Sequence, residues 1–180
     1  MRGLPWVWGD VGDTPPLPTP AGYDGLSAVR AIRVAAPPPV VFRWLTQLAV
    51  APYSYDLLDN RGRRSPRHLV EGIELTPGRT MMEIFRLTAI EPDRMLELVM
   101  ADPGAVCAFG EIVVAYRTLP QGEGTVLRCD LFMRPHRGPA LVRDHLLAWG
   151  DVVMMRKQLL TLKALSESSV GGFPTRPPAA

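Results

Sequence analysis

His145 is the side chain in this sequence whose type and surroundings best suit proton transfer. It lies between Leu141 and Ala148, on the apolar stripe of a predicted helix that is expected to face a sheet. A single imidazole in an apolar pocket can donate or accept a proton near neutral pH, because the ordinary pKa of histidine is about 6.5. The alternative is a core histidine whose ring is satisfied by one neighbouring hydrogen bond.

Three glutamates are further candidates, because each falls in a segment with the alternation of a strand. They are Glu83, Glu97 and Glu111. A buried carboxylate with a raised pKa could act as general acid or base in an aldol-type cyclisation or a dehydration. Solvated carboxylates on an outer face are the alternative. The sequence does not decide, because a register shift of one residue reverses every side chain of a strand.

Polar and aromatic residues cluster after the first predicted helix. Tyr53 and Tyr55 carry hydroxyls that could orient a polar group of a ligand. Asp56, Asp59 and Asn60 follow them closely along the chain. In the alternative interpretation the two acids cap and solvate a short helix while the tyrosines pack.

Four arginines form a basic cluster just beyond these tyrosines, at Arg61, Arg63, Arg64 and Arg67. Guanidinium groups at this density could hold a phosphate or an anionic lipid headgroup near the mouth of a pocket. A solvated loop is the alternative. Nucleic-acid binding is not expected, because no aromatic residues interleave the arginines to stack on bases.

Several common catalytic and cofactor-binding patterns are absent from the sequence. No serine lies in a Gly-x-Ser-x-Gly elbow, and no Gly-x-Gly-x-x-Gly or phosphate-binding loop occurs. His68 and His136 share no metal-ligand spacing with each other, with His145 or with a cysteine. The sequence therefore predicts neither a metal nor a cofactor.

The composition is that of a single globular domain. The chain has 180 residues, of which 47% are hydrophobic and 21% charged. The net charge of +2 is the difference between 20 basic and 18 acidic residues, so no overall field favours nucleic acid or an anionic membrane. Charges or prolines interrupt every apolar segment, which predicts no membrane span. The two cysteines, Cys107 and Cys129, do not make a disulfide framework. Prolines and aspartates near the N-terminus interrupt the apolar stretch that an export signal needs, so a cytoplasmic location is expected.

The elements that must position these residues begin after a Pro- and Gly-rich N-terminal arm, residues 1–25. The arm is expected to be extended, and Trp6 and Trp8 indicate that it lies against the domain or against a partner. Residues 26–35 are predicted to form an edge or rim strand. Prolines 37–39 then begin a short amphipathic helix, because their fixed φ suits a first helical turn.

The rest of the chain predicts a second short helix, a meander of strands and a long helix. Ser54 can cap the second helix and Asn60 can end it. Antiparallel strands are expected at residues 80–90, 95–100, 111–119 and 125–134, the last with one buried and one wet face. A helix is predicted over 140–166, which ends the domain 26–166, and the tail 167–180 is expected to be disordered.

This order of elements, with two segments of the sequence, resembles a known superfamily. The segment VAAPPPVVFRWLTQL at 34–48, followed by YSYDLLDN at 53–60, is similar to the SRPBCC group, also called the START-like or polyketide cyclase/dehydrase superfamily. The likeness is to members with a YSYDWLDN segment, and Leu57 stands where those members have tryptophan. The resemblance implies an α+β helix-grip fold, in which a curved antiparallel sheet, two short helices and a long C-terminal helix enclose a cavity.

Alternation along the strands and the stripe of the long helix predict the wall of that cavity. The candidate ligand-binding residues are Trp44, Tyr53, Tyr55, Phe85, Leu98, Phe109, Tyr116, Leu131, Leu141, His145, Trp149 and Val152.

Three functions stay open, because this fold hosts many activities. The first is binding, transport or sequestration of a small hydrophobic molecule such as a lipid or polyketide. The second is a cyclase or dehydratase, in which His145, Tyr55 or a strand glutamate moves a proton while the cavity fixes the shape of the substrate. The third is an interaction module whose arm docks on a protein partner. Assembly as a homodimer also stays open.

Overall fold

The computed structural model describes residues 3–12, 14–23, 27–55, 64–134 and 140–170, with the backbone alone for 140–144. The strands are β1 Val7–Gly9, β2 Ser27–Val34, β3 Thr80–Met81, β4 Phe85–Glu91, β5 Met95–Met100, β6 Ile112–Gln121 and β7 Gly124–Met133. The helices are α1 Pro38–Thr46, α2 Pro103–Phe109 and α3 Ala140–Ser169, and a 3-10 helix, Gln47–Ala49, follows α1.

Across the described residues, the seven strands form one sheet in the order β1-β2-β7-β6-β5-β4-β3. All neighbours are antiparallel except β1 and β2, which are parallel. The sheet is curved and α3 packs against it, with α1 beside α3. This confirms the predicted α+β architecture. The second short helix was predicted over positions that lie mostly outside the described residues.

Helix α1 forms where the prolines predict it and buries one face. Pro38 and Pro39 occupy the first turn, where a missing backbone N–H costs nothing. Val41, Trp44 and Leu45 are buried against the sheet and α3. The indole Nε1 of Trp44 donates a hydrogen bond of 3.0 Å to Ser169 Oγ, which fixes the end of α3 on α1.

Strand β2 is an inner strand of the sheet, so the prediction of an edge strand was wrong. The arm supplies β1, which pairs with Val29, Arg30 and Ala31 of β2. Gly9 makes this approach possible, because its φ is +88° and a Cβ there would overlap the carbonyl oxygen of Ala31. Strand β1 precedes β2 in the chain and has only three residues, which are too few to show an alternating pattern in the sequence.

Strand β7 is buried on both faces, and the predicted wet face was also wrong. Arg128 and Asp130 are 2% and 1% exposed, and they form an ion pair of 2.8 Å. Arg117 of β6 adds a second ion pair of 2.8 Å to Asp130. The arm crosses above them, where the carbonyls of Thr14 and Pro15 accept hydrogen bonds from Arg128 and Arg117. Charges can lie under the arm because each has a partner.

Three other elements differ from the expectation. The predicted strand 80–90 is split into β3 and β4 by a tight turn, in which Met82 and Glu83 have φ of 47° and 64°. Helix α2 was not predicted, although Asp102 accepts a hydrogen bond of 2.8 Å from the Ala105 N–H and Pro103 follows in the first turn. Helix α3 runs to Ser169 rather than to residue 166.

None of the helices in the described part of the chain combines the length and apolarity needed to cross a bilayer.

Candidate functional site

A cavity of the described structure lies between the inner face of the sheet and α3. Its volume is about 650 Å³. Strands β2, β6 and β7 supply Ala28, Val114 and Leu131 to its wall, and α3 supplies residues along three turns. The lining is predominantly apolar, which is the usual character of a pocket for a small organic ligand.

Methionine makes up an unusual share of the wall. Met82, Met100, Met133, Met154 and Met155 all line the cavity, out of eight methionines in the chain. The thioether side chain is unbranched and polarizable, so it can adapt to ligands of different outline. The wall is therefore suited to a bulky ligand without requiring one fixed shape.

Large apolar side chains are exposed where the cavity opens. Leu146 is 68% exposed, Val153 50%, Phe109 41% and Tyr55 40%, and all four line the cavity. They come from α3, from α2 and from the segment after the 3-10 helix. Apolar surface at an opening lowers the cost of passing a hydrophobic molecule from solvent into the interior.

A tyrosine and a glutamine form a closed polar pair on the wall. The Tyr116 hydroxyl donates to Gln158 Oε1 over 2.6 Å, and Gln158 Nε2 donates to the Pro52 carbonyl over 2.6 Å. Burial raises the pKa of Tyr116 well above its ordinary value. Both groups therefore stay neutral and have their hydrogen bonds within the protein.

Among the described lining residues, the charged side chain is that of Asp151 on α3. Arg30 Nη2 donates to Asp151 Oδ2 over 2.9 Å, and Arg30 itself is fully buried. Arg30 Nη1 donates to the carbonyls of Trp6 and Val29, at 2.9 and 3.1 Å. Burial raises the pKa of Asp151 to about 6, and this effect exceeds the lowering by Arg30. Asp151 can therefore gain or lose a proton close to neutral pH.

Register places three reactive side chains in one row across the inner face. Arg30 of β2 lies opposite Cys129 of β7, which lies opposite Tyr116 of β6. Cys129 is fully buried, and burial raises the pKa of its thiol well above the ordinary value, so it is not a thiolate nucleophile at neutral pH.

The structure distributes the predicted wall residues between the cavity, the core and the surface. Tyr55, Phe85, Phe109, Tyr116 and Leu131 line the cavity. Four others are buried in the core outside the cavity wall: Trp44, Tyr53, Leu98 and Val152. Trp149 is 49% exposed and does not line the cavity. The side chain of Leu141 lies outside the described residues. The two rings of Trp44 and Tyr53 contact each other edge to face, with centroids 6.2 Å apart.

His145 does not face the cavity, in contrast to the prediction. It is exposed, and its ring packs against Trp6 of the arm, with centroids 5.1 Å apart. Trp8 lies close by, with the Arg156 guanidinium 6.0 Å from its ring centre. The stripe of α3 that turns inward carries Asp151 and Gln158 instead, because the arm occupies the side that His145 faces.

The three glutamates also lie outside the cavity wall. Glu83 lies in the turn between β3 and β4, on a left-handed backbone. Glu97 accepts a hydrogen bond of 2.9 Å from the Thr88 hydroxyl, on the face opposite to its buried neighbours in β5. Glu111 pairs with Arg134 at 2.8 Å. Among the described lining residues the carboxylate is that of Asp151, which was not predicted although it stands three residues after Ala148 on the predicted stripe.

The remaining sequence candidates are only partly described. Six of them lie outside the described residues: Asp56, Asp59, Asn60, Arg61, Arg63 and His136. Arg64, Arg67 and His68 lie on the surface segment that follows, and all three are exposed. Where the structure describes the chain, no group of three His, Cys, Asp or Glu side chains is arranged to hold a metal ion.

Comparison with solved structures identifies the fold. The di-domain ARO/CYC StfQ from the steffimycin biosynthetic pathway superposes with a TM-score of 0.52 and 14% identity, over 81% of this chain and 51% of that one. A protein from Thermus thermophilus gives 0.51 and 13%, over 79% and 98% of the two chains. A Nitrosomonas europaea protein gives 0.50 and 14%, over 79% and 95%. The chain therefore has the helix-grip fold, as the sequence predicts.

A scan against protein-family models finds no match, and a search of curated proteins finds none either. At these identities the structural likeness defines the fold and leaves the activity to be argued from the cavity.

Proposed function

We propose that this protein binds a small hydrophobic molecule in the cavity between the sheet and α3. The observation that carries the proposal is the cavity itself, which has a volume of about 650 Å³ and a wall that is almost entirely apolar. Pockets for small organic ligands are usually about 300–1,000 Å³ in volume, with a few polar groups on an apolar wall. A lipid, an isoprenoid or a polyketide is of suitable size and polarity.

The proposal includes membership of the SRPBCC superfamily. The helix-grip fold supports it, together with the YSYDLLDN segment at 53–60. It also includes a cytoplasmic location, which the exposed unpaired thiol of Cys107 supports, because such thiols persist in a reducing compartment.

A thermal-shift panel tests the binding proposal. Fatty acids, quinones, sterols, isoprenoids and aromatic polyketides would each be added to the purified chain. A ligand held at about 100 times its dissociation constant stabilises the folded state by roughly 2.7 kcal/mol. For a domain of this size the midpoint should rise by about 5–10 °C. A flat response across the whole panel would contradict the proposal.

A second candidate function is a cyclase or dehydratase, and Asp151 is the observation that favours it. Its pKa of about 6 suits a general acid or base that works near neutral pH. The similarity to StfQ, which is described as an ARO/CYC, is in keeping with this candidate. Turnover of a bound polyketide that Asp151→Asn abolishes, with binding retained, would decide for the enzyme. Binding without turnover would decide for a carrier.

A further inference from the structure

The polar groups on the cavity wall differ in whether their hydrogen bonds are complete. Tyr116 and Gln158 are satisfied by each other and by the Pro52 carbonyl. Asp151 is the one charged side chain among the described lining residues, and 29% of its side chain remains exposed at the wall. Only its Oδ2 accepts a hydrogen bond from the described residues, the one from Arg30.

Asp151 therefore has capacity for a further donor. A carboxylate offers about four lone-pair positions on its two oxygens, and Oδ1 uses none of them within the described chain. This oxygen is open to the cavity, so an apolar ligand that covers it would cut it off from water without replacing the hydrogen bond. A ligand that brings a donor to this point avoids that cost and binds more tightly than an apolar ligand of the same size.

The charge balance around Asp151 selects the kind of donor. Arg30, buried behind the wall, already neutralises the carboxylate, and no basic side chain among the described residues lines the cavity. An added ammonium group would leave a net positive charge in an apolar cavity, and an added carboxylate would leave a net negative one. Both charges are expensive to bury without a partner.

We infer that the cavity prefers a neutral hydroxylated molecule, an alcohol or a phenol on a large apolar skeleton, whose O–H donates to Asp151. The inference rests on the proposed function, because it names the ligand class of the same cavity. The adaptable methionine wall receives the skeleton, and the Asp151–Arg30 pair fixes its orientation by the hydroxyl.

Matched fluorescent probes test the inference on the full chain at pH 7. The probes are 1-hydroxypyrene, 1-methoxypyrene, 1-pyrenemethylamine and 1-pyrenecarboxylate, which share one apolar skeleton and differ in one group. Dissociation constants would be measured by fluorescence titration. We expect the hydroxyl probe to bind about tenfold more tightly than the methoxy probe, because a hydrogen bond to a charged acceptor contributes this much net affinity. Both charged probes should bind more weakly than the hydroxyl probe.

A pair of variants assigns the preference to its residue. Asp151→Asn keeps the shape of the side chain but removes the charge, so the advantage of hydroxyl over methoxy should shrink to about threefold or less. Asp93→Asn makes the same chemical change at an exposed turn and should leave the ratio unchanged.

The outcomes separate the inference from the proposed function. Equal affinity for the hydroxyl and methoxy probes would overturn the inference and still support a hydrophobic cavity. Tighter binding of the amine or the carboxylate would overturn the charge argument in the same way. If none of the four probes bound, both the inference and the proposed function would be contradicted. Should Asp151→Asn fail to fold, the wild-type comparison still decides.

Discussion

Arg30 of β2 and Asp151 of α3 join the sheet to the terminal helix at the wall of the cavity, over 2.9 Å. The same guanidinium donates to the carbonyl of Trp6 in the arm. One buried cation thus connects the arm, the sheet and the ligand-facing side of α3. A substitution in the arm, in the sheet or in α3 that disturbs Arg30 should therefore affect the other two elements.

The first prediction is that Asp151 makes the protein less stable as pH rises. Its pKa is 3.8 when unperturbed and about 6 in the folded chain, so between these values the folded state binds the proton more strongly than the unfolded state does. The contribution of this group to stability is then complete below about pH 4 and is lost as pH rises through 6, by up to about 3 kcal/mol.

Urea denaturation of wild type and Asp151→Asn from pH 4 to 7.5 checks this sign. The wild type should lose stability relative to the variant across that window. Glu167 has the opposite tendency, because backbone and Lys163 hydrogen bonds lower its pKa against the opposing effect of burial. It is present in both proteins and cancels in the difference. A difference that grows with pH in favour of wild type would contradict the assignment.

The second prediction concerns Gly150, which lines the cavity from α3 with open space where a Cβ would lie. Gly150→Trp should narrow the cavity and weaken binding of the hydrophobic panel at least tenfold, while its Cβ meets no protein atom. Gly150→Ala is the matched control, which should retain binding and raise stability by about 0.5–1 kcal/mol through helix propensity. Isothermal titration and thermal melts measure both. Unchanged binding by the tryptophan variant would argue that ligands do not use this cavity.

The third prediction concerns the N-terminal arm. Deletion of residues 1–25 removes the carbonyls that accept hydrogen bonds from Arg30, Arg117 and Arg128. Water can replace these acceptors once the arm is gone, so the cost is the net contribution of each charge-assisted hydrogen bond, up to about 1.5–3 kcal/mol. The free energy of unfolding should fall accordingly. Leu4→Ala, at a side chain that is 53% exposed, should have little effect. A truncated chain with an unchanged denaturation midpoint, and with loss of a protein partner instead, would support the interaction-module alternative.

The fourth prediction concerns the buried charges of the outer face. Asp130 neutralises Arg117 and Arg128, so Asp130→Asn leaves excess positive charge beneath the arm and should cost about 3 kcal/mol or more. Asp93→Asn serves again as the matched change at the surface and should stay within about 0.5 kcal/mol. Equilibrium denaturation at pH 7 compares the two variants. A cost at Asp130 no larger than that at Asp93 would show that the ion pairs add nothing.

Local patterns predicted most of the fold. Alternation located β5 and β7, proline placed the start of α1, and the apolar stripe located α3. These signals come from neighbours in sequence, so they do not depend on distant contacts.

Helix α2 was missed although its signals, Asp102 and Pro103, are local, whereas the errors at the site come from distant contacts. The burial of Arg128 depends on the carbonyl of Thr14, and the exposure of His145 depends on Trp6, both far away in sequence. Asp151 was overlooked for a related reason. A charged residue on an apolar stripe is ordinarily assigned to solvent, and its buried partner Arg30 lies in another element.

The parallel pairing of β1 with β2 also bears on solubility. The outermost strand of a sheet has unpaired N–H and C=O groups, with which a strand of another chain can pair and start aggregation. Here β1 of the arm pairs with Val29–Ala31, and the Arg33–Asp10 ion pair lies beside them. The opposite edge of the described sheet is β3, which has only two residues. Proteolytic loss of the arm would therefore create a strand edge open to fibril-like association, and the intact N-terminus protects the sheet against it.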